Sequence, residues 1–429
     1  MVHRFSSIMQ ISLVCLLTFF HKDLLAQTLR ESVQNALAND HLLQGEFFAY
    51  KSSVLNLGSA VARFLPSISV IVNETLFQER YNNPRNNSGL NIRIDQTLYQ
   101  GSLFVSDLKS KKHTQELTKT QYNQKVYDVV LSAVNAHTNY IQRKKILSLY
   151  DKNITLMKDQ FEIANAKYNL GEMTKVELLS SQAKLRQAIS DRSQAYGNYI
   201  NAQTEYLRVT GVQPKNLTIV ASDNPTPPKS LTDLLQKAEH NNLTIKKSQL
   251  NQKIAYYNKQ SYVATMHPKL SLFSNVPIGD SSVKGYESTS EMGLSFNYPL
   301  FNGGANISNF LSQSALYKKS IEQHKDTLKQ IESRIISLWN KYKTDVESEK
   351  AANSLLDART QELDIIIKEF ELRLKTSHNV LEASLDKLNA EIAYVQRKHD
   401  KYITLYNITF EIGDVRFMPF NDIISQYII

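Results

Sequence analysis

The sequence predicts a mainly α-helical protein with membrane β-strands, built from one helix–strand–strand–helix–helix unit that occurs twice. Three observations lead to this prediction. Segments in the two halves match at a constant spacing, apolar residues recur every seven positions over long stretches, and two stretches in each half alternate apolar and polar side chains. The 429 residues, 42% of them apolar, are enough for a sizeable buried core, so a folded chain is expected.

The N-terminal 26 residues resemble a secretory signal peptide. Arg4 supplies the positive charge, an apolar run follows at 11–20, and Ala26 ends a cleavage site. The only cysteine, Cys15, lies in the apolar run in a poor context for lipid attachment, so the mature chain is expected to contain no disulfide. We therefore expect removal of 1–26 and a mature protein outside the cytoplasm.

Beyond the signal peptide the sequence contains no run of about 18 apolar residues, so any membrane insertion is expected to use β-strands. The formal net charge is +9, but Lys and Arg alternate with Asp and Glu through the helical segments instead of clustering. That pattern is typical of solvated helix faces and disfavours nucleic-acid binding.

The duplication has a constant spacing of 202 residues. The stretch "TLRESVQNALAND" from Thr28 has its counterpart in "SLTDLLQKAEHNN" from Ser230, and 230 − 28 = 202. Pro66 and Pro268 keep the same spacing. One gene duplication is the simplest explanation, and it predicts one architecture for both halves.

A helical stripe also occurs in both halves. Its members recur at intervals of 7, and the second set follows the first at the spacing of 202: Val126, Ala133, Tyr140, Leu147, Ile154, Phe161 and Tyr168, then Leu328, Ile335, Tyr342, Glu349, Leu356, Leu363 and Phe370. An apolar repeat of seven is typical of helices packed side by side, and Glu349 is its one polar break. The stripe predicts a helix–helix core and no cofactor site.

The elements of each half follow from local signals. Pro66 ends the first helix, because proline disfavours helical geometry in the preceding residue, and Gly171 and Thr174 turn the chain between two long helices. The predicted signal peptide is 1–26, the linker is 211–229 and the C-terminal segment is 411–429. The first repeat, 27–210, has a first helix at about 29–63, strands at about 67–77 and 89–99, and long helices at 103–168 and 174–208. The second repeat, 230–410, has strands at about 269–276 and 291–301 and long helices at 304–372 and 377–410. At 1.5 Å per residue the longest helices span about 100 Å, which predicts a wall of helices of that height.

The stretch "LNIRIDQTLYQG" from Leu90 is the clearest strand, with Gln96 as the one polar residue on its apolar side. One face suits lipid and the other suits water. Its polar face carries Asn91, Arg93 and Asp95, and the polar face of the matching strand in the second half carries Ser295 and Asn297. A soluble antiparallel sheet alternates in the same way, but strands of about 9 to 11 residues fit a bilayer and no other apolar partner for the sheet is evident.

Four strands per chain cannot close a membrane barrel, and an open sheet edge in lipid leaves backbone groups unpaired. The chain is therefore expected to oligomerise. Two copies would give about 8 strands around a filled interior, whereas three would give about 12 around a lumen. The polar inner face favours three copies.

At this point the sequence resembles the TolC-like outer-membrane efflux and export proteins, over essentially the whole mature chain. The resemblance lies in "TLRESVQNALAND", Pro66 and Pro268, "QTLYQG", "FNYPLFNGG" and "AKYNLGEMTKVELLSSQAKLRQA". It implies a homotrimer with a 12-stranded barrel in the outer membrane of a Gram-negative bacterium, on a long periplasmic α-helical barrel. It also implies an equatorial region formed by the linker and the C-terminal segment.

The resemblance implies an exit duct for efflux or type I secretion. Cargo from an inner-membrane transporter passes a periplasmic adaptor (a membrane fusion protein) and leaves passively. The adaptor-contacting turns would be Tyr168, Asn169, Leu170, Gly171, Glu172 and Met173, and Leu372, Arg373, Leu374 and Lys375. Arg373 departs from the pattern, because it stands at the repeat equivalent of Gly171. The candidate tunnel constriction is Asn379 and Glu382.

No motif for catalysis, a cofactor or a metal is found. The 10 histidines include no His-Glu-x-x-His, and there is no Gly-rich phosphate loop, so an enzyme is not expected. The alternative function is a non-channel periplasmic coiled-coil tether or adaptor. An adaptor would carry one helical hairpin between compact β modules, whereas two hairpins and two strand pairs are predicted here. Cargo, cognate partners and the resting state of the tunnel are not encoded in any motif.

Overall fold

The structure is a computed structural model that describes residues 27–75, 87–219, 225–278, 290–413 and 420–429. The predicted signal peptide and the predicted strand end at 76–77 lie outside the described residues. In the described ranges the elements are α1 (Leu29–Asn39), α2 (His41–Ala62), β1 (Ser67–Thr75), β2 (Asn87–Gln100), α3 (Leu103–Asn169), α4 (Lys175–Thr210), α5 (Leu231–Asn241), α6 (Leu243–Ala264), β3 (Lys269–Ile278), β4 (Glu291–Asn297), α7 (Ala305–Glu371), α8 (Ser377–Glu411) and α9 (Asn421–Tyr427). Over these same ranges, no helix combines the length and hydropathy that a membrane span requires.

The predicted fold class, mainly α-helical with a small β part and a duplicated unit, is confirmed. The long helices α3 and α7 each have 67 residues. They start at Leu103 and Ala305, and 305 − 103 = 202, the spacing seen in the sequence.

The first predicted helix, at about 29–63, is wrong in one respect, because the chain breaks it into α1 and α2 at Asp40. Asp40 has extended backbone angles (φ −76°, ψ 108°). Its carboxylate accepts a hydrogen bond from the N–H of Leu43 at 2.6 Å, as an N-cap of α2 does. Asn242, 202 residues later, separates α5 from α6 with similar angles (φ −62°, ψ 122°). The Asp40 cap explains the first break, whereas the side chain of Asn242 donates to the carbonyl of Glu411 at 2.7 Å.

The chain forms two compact units. The first comprises the described parts of Met1–Leu43, Lys125–Asn242 and Glu332–Ile428, and the second comprises those of Gln44–Gln124 and Leu243–Ile331 with Ile429. The long helices contribute to both units.

The second unit contains one four-stranded antiparallel sheet in the order β1-β2-β3-β4. The central pair, β2 with β3, joins a strand of the first repeat to one of the second. The strand β4 ends at Asn297, four residues before the predicted end at 301. Pro299 explains the difference, because proline has no N–H for the ladder.

The helices of the second unit pack in the order α2–α3–α6–α7. Hydrogen-bonded side-chain pairs join successive helices: Ser53 with Thr118 at 2.7 Å, Ser110 with Asn258 at 2.7 Å and Ser248 with His324 at 2.7 Å. The helices α2 and α7 thus form the two edges of this row.

The first unit has an analogous row, α4–α3–α8–α7. The joining pairs are Arg192 with Asp151 at 2.9 Å, Thr138 with His399 at 3.4 Å and Thr404 with Asp345 at 2.7 Å. The predicted stripe lies in the core here, where Val126, Ala133 and Tyr140 are buried. Its polar break, Glu349, forms an ion pair with Lys401 of α8. A neighbouring helix therefore supplies the cation that makes a carboxylate acceptable at this position.

A chain of buried hydrogen bonds in the first unit ties α1, α3, α4 and the linker together. His137 is fully buried, with Nε2 3.1 Å from the carbonyl of Thr218 and Nδ1 2.8 Å from Ser32 Oγ. Because Nε2 must donate to the carbonyl, Nδ1 accepts from Ser32, whose Oγ lies 2.8 Å from the hydroxyl of Tyr206. Burial lowers the pKa of His137 to about 4.

Candidate functional site

The first helical turn joins α3 to α4. The N–H of Gly171 donates to the carbonyl of Tyr168 at 3.0 Å, and the N–H of Glu172 donates to that of Lys167 at 2.9 Å. This pair of bonds is the Schellman ending, which requires left-handed backbone at Gly171, whose φ is +76°. Leu170 at the tip is 74% exposed. The turn therefore presents an apolar side chain to solvent on a backbone that these hydrogen bonds hold in place.

The helix α4 begins with a capping box. The hydroxyl of Thr174 accepts from the N–H of Glu177 at 3.3 Å, and the Glu177 carboxylate accepts from the N–H of Thr174 at 3.0 Å. The pKa of Glu177 is lowered by the hydrogen bond from the Thr174 backbone and next by that from its hydroxyl. The first turn is therefore fixed on both sides.

The second turn joins α7 to α8 and repeats the first bond for bond. The N–H of Arg373 donates to the carbonyl of Phe370 at 2.9 Å, and that of Leu374 donates to Glu369 at 2.8 Å. Arg373 has a φ of +64°, so a residue with a side chain occupies the left-handed position. Such a residue costs about 1 kcal/mol relative to glycine. Leu372 and Leu374 are exposed, as is Leu170 in the first turn.

Asn379, one of the two residues predicted for the constriction, is part of a capping box at the start of α8. Its side-chain oxygen accepts from the N–H of Thr376 at 3.0 Å and from the Thr376 hydroxyl at 2.8 Å. Lys375 precedes this cap on the exposed side of the turn. The amide oxygen of Asn379 is thus occupied by the local turn.

Glu382, the other predicted constriction residue, is exposed and lies one helical turn after His378. His378 Nε2 is 4.0 Å from the Glu382 carboxylate, and its Nδ1 is 3.3 Å from the ammonium of Lys184 on α4. Lys184 and His378 are functional-site neighbours that sequence reasoning missed. They are 194 positions apart, and no local pattern marks such a pair.

A groove lies beside the two turns in the first unit, with a volume of about 390 Å³. Its lining includes Ile163, Met173 and Val176 from the first hairpin, and His378 and Leu381 from α8. Met173, the last predicted residue of the first turn, lies between α3 and α4 and also lines this groove. Asn169 is the last residue of α3.

The residues predicted for the barrel lumen share one face of the sheet in the second unit. On that face Asn91 pairs with Ile71, Arg93 with Ser69 and Asp95 with Ser67, while Ser295 pairs with Ser271 and Asn297 with Lys269. The opposite face exposes Ile68, Val70, Val72, Met292, Leu294 and Phe296. The sheet therefore has one mainly polar and one apolar face.

Two details explain polar residues of strand β2. Arg93 and Asp95 form a two-pronged ion pair, with Nε to Oδ2 at 2.7 Å and a terminal guanidinium nitrogen to Oδ1 at 3.2 Å. Gln96, the polar exception on the apolar side, donates to the carbonyl of Phe64 at 3.1 Å. The Gln96 side chain thus ties strand β2 to the segment that precedes β1.

Comparison with known proteins identifies the family. The model of the family "Outer membrane efflux protein" matches residues 32–212 and 234–414. The chain is 23% identical over 389 residues to the outer membrane efflux protein BepC of Brucella suis (89% of this chain, 84% of the relative). It is 19% identical over 344 residues to the outer membrane protein TolC of Escherichia coli (76% and 70%).

Solved structures show the same fold. The outer membrane channel CmeC of Campylobacter jejuni superposes with a TM-score of 0.78 at 18% identity, over 93% of this chain and 89% of that one. The outer membrane protein VceC of Vibrio cholerae superposes with a TM-score of 0.76 at 15% identity, over 90% and 96%. Since the family model covers most of the chain in two segments, one per repeat, this chain belongs to the outer membrane efflux protein family.

Proposed function

We propose that three copies of this chain form one exit duct. The duct receives cargo from an inner-membrane transporter through a periplasmic adaptor and releases it passively outside the cell. The four-stranded sheet is the observation that carries this proposal, because it has an apolar face and two edges. Transport of this kind includes no catalytic step.

The edges of the sheet support self-assembly. In the described chain, β1 pairs only with β2, and β4 pairs only with β3. Open strand edges cannot remain unpaired in lipid, so another copy must supply the missing strand on each side. Three copies contribute about 12 strands, with the polar face around a lumen wide enough for cargo.

The edges of the helical rows support the same assembly. In the second unit α2 is an edge helix, and it exposes apolar side chains at the spacing of seven: Phe47, Val54 and Val61, and next to them Phe48 and Leu55. Such columns are typical of a coiled-coil seam that needs a partner helix. The matching free edge of the row is α7, so we propose that α2 of one copy packs on α7 of the next.

The two helical turns are the proposed adaptor-docking surface. Exposed leucines at both tips, Leu170, Leu372 and Leu374, are expensive in water and become favourable when a partner covers them. Fixed Schellman bonds and capping boxes keep them in one position, which lowers the entropy lost on docking.

We propose Glu382 as the charged residue of the tunnel constriction and Asn379 as the cap of the helix that carries it. Asn379 is held by Thr376, so its contribution is a fixed cap. Glu382 is exposed with His378 beside it, so we expect the charge at the proposed constriction to depend on both side chains.

The experiment that tests the duct is single-channel conductance of the detergent-extracted oligomer in a planar bilayer, with its mass measured in the same preparation. We expect discrete conductance steps from a trimer. A monomer that neither inserts nor conducts would mean that the sheet is not a membrane wall, and the coiled-coil tether would then explain the chain better. Substitution of Val54 and Leu55 by Asp tests the α2 seam, and we expect the trimer to dissociate.

A further inference from the structure

A groove in the second unit carries an arrangement of aromatic and cationic groups that the duct does not require. It has a volume of about 610 Å³, within the range of small-molecule sites. Three helices line it: α3 with His113, α6 with Lys253, Tyr256 and Tyr257, and α7 with Tyr317 and His324. We propose that this groove binds a planar organic anion, such as an aromatic carboxylate or sulfonate.

The aromatic rings form one connected wall. Tyr317 and Tyr256 meet edge to face with ring centres 5.6 Å apart. Tyr256 and Tyr257 are 5.1 Å apart at 78°, and Tyr257 stacks on His113 at 5.6 Å and 19°. A flat ring can enter such a wall by stacking or by edge contacts.

The charge of the groove favours an anion. Lys253 lines it, Lys259 lies 5.2 Å from the ring of Tyr317, and Lys109 lies 5.4 Å from the ring of Tyr257. None of the described residues lining it is acidic. Because these lysines already contact the tyrosine faces, a cationic ligand would meet like charge, whereas an anion would be attracted.

The two histidines and two glutamines supply hydrogen bonds. The Nδ1 atom of His113 is buried with no hydrogen-bond partner, and the closest carboxylate, that of Glu116, is 3.5 Å away. Ser248 donates to the carbonyl of Ile245, so it accepts from His324 Nδ1 at 2.7 Å, which leaves Nε2 of the neutral His324 ring as a hydrogen-bond acceptor. The amides of Gln249 and Gln252 complete the polar lining.

The duplicated half acts as an internal control. At the spacing of 202, Tyr256, Tyr257 and Lys259 correspond to Val54, Leu55 and Leu57. Those apolar residues form an ordinary helix, α2, at the equivalent place. Helix formation at this place therefore does not require tyrosine or lysine. In α6 these residues build the aromatic wall and the positive charge of the groove, which the first repeat lacks.

The test is isothermal titration calorimetry of the detergent-extracted oligomer with 2-naphthoate. The neutral amide of the same ring system and the cation 2-naphthylmethylammonium are titrated in parallel, which separates groove binding from partition into the micelle. We expect saturable binding of the anion at one site per chain, and at least about tenfold weaker binding of the amide and the cation.

Two variants and one control complete the test. The double change Tyr256→Val and Tyr257→Leu introduces the residues of the first repeat, and it should abolish binding. Lys253→Gln should weaken binding about tenfold. Its matched control is Lys51→Gln, the repeat equivalent on α2, which should have no effect.

Three results would overturn the proposal. The first is no saturable binding of 2-naphthoate, and the second is equal binding by wild type and Lys253→Gln. The third is loss of the oligomer in the Tyr256→Val and Tyr257→Leu protein while 2-naphthoate binding by Lys253→Gln is unchanged. The last result would make the groove a contact between copies. Binding needs neither adaptor nor conductance, so it stands or fails independently of the duct.

Discussion

The turns after α3 and after α7 have one backbone and two different surfaces. Both end their helix with the same pair of backbone hydrogen bonds, and both start the next helix with a capping box. Glycine occupies the left-handed position in the first turn and Arg373 occupies it in the second. The comparison shows that the hydrogen-bond pattern determines this geometry, and that glycine only makes it easier to adopt.

The surfaces differ in charge. Over 168–177 the first turn carries Glu172, Lys175 and Glu177. Over 370–379 the second carries Glu371, Arg373 and Lys375, and it uses Asn379 in place of a capping glutamate, so the balance of charge is acidic in the first turn and basic in the second. A partner that docks on both turns would therefore meet the same shape with opposite charge.

The largest expected effect comes from proline in the first turn. Gly171→Pro removes the N–H that bonds Tyr168 and forces a negative φ where +76° is needed, which costs the turn about 3 kcal/mol or more. We expect export to be lost while the trimer remains on native gels. Arg373→Pro is the matched change, and equal loss from both would show that both turns dock. Loss of the trimer would contradict the docking role.

The next effect concerns a buried histidine that is present in the first repeat and absent from the equivalent position of the second. His137 corresponds to Trp339 at the spacing of 202. Its pKa falls from 6.5 unfolded to about 4 folded, so the unfolded chain binds the extra proton between those values. The free energy of unfolding therefore keeps its full value above pH 6.5 and falls by about 3 kcal/mol as pH falls to 4.

Thermal unfolding of the oligomer from pH 7.5 to 4 measures this loss. His137→Gln should be less stable at pH 7.5 and should show a shallower decline. Some slope should persist, because burial also lowers the pKa of His399. An unchanged slope in the His137→Gln protein would contradict the assignment.

A smaller effect is expected at the exposed tips. Leu170→Asp places a charge where a partner would cover an apolar side chain, and we expect adaptor affinity to fall about tenfold, with trimers intact. Leu372→Asp is the matched variant in the second turn. A pull-down with the cognate adaptor measures both. If Leu372→Asp alone reduces capture, the basic turn is the main docking surface.

The smallest effect tests the left-handed position itself. Arg373→Gly should stabilise the second hairpin by about 1 kcal/mol, and Gly171→Ala should destabilise the first by a similar amount. No Cβ contact complicates Gly171, because nothing lies within 4 Å of the position a Cβ would take. Hydrogen exchange of the two turns measures the difference, and changes of the same sign would contradict it.

Much of the fold was predictable because it depends on local or periodic signals. The spacing of 202, the stripe of seven and the strand alternation are all present in one sequence. The break at Asp40 was missed, because a capping side chain interrupts a helix without disturbing the apolar pattern. The break at Asn242 was missed too, since its side chain bonds the distant Glu411 carbonyl. The end of β4 was missed although Pro299 signalled it.

The candidate site was less predictable. Residues on the polar sheet face and at the turns could be named from alternation and from the Gly171 signal. Contacts between distant residues could not, such as Lys184 with His378 or Glu349 with Lys401, since no local pattern relates them. The repeat pointed to Arg373 as the equivalent of Gly171, but the residue type alone gave no hint of its left-handed backbone.

The two open sheet edges have a genetic consequence. If β1 of each copy must join β4 of the next, a single copy with a damaged edge prevents closure of any ring that contains it. In a cell that makes equal amounts of normal and damaged chains, only about one trimer in eight would contain three normal copies. Edge mutations in β1 or β4 should therefore be dominant.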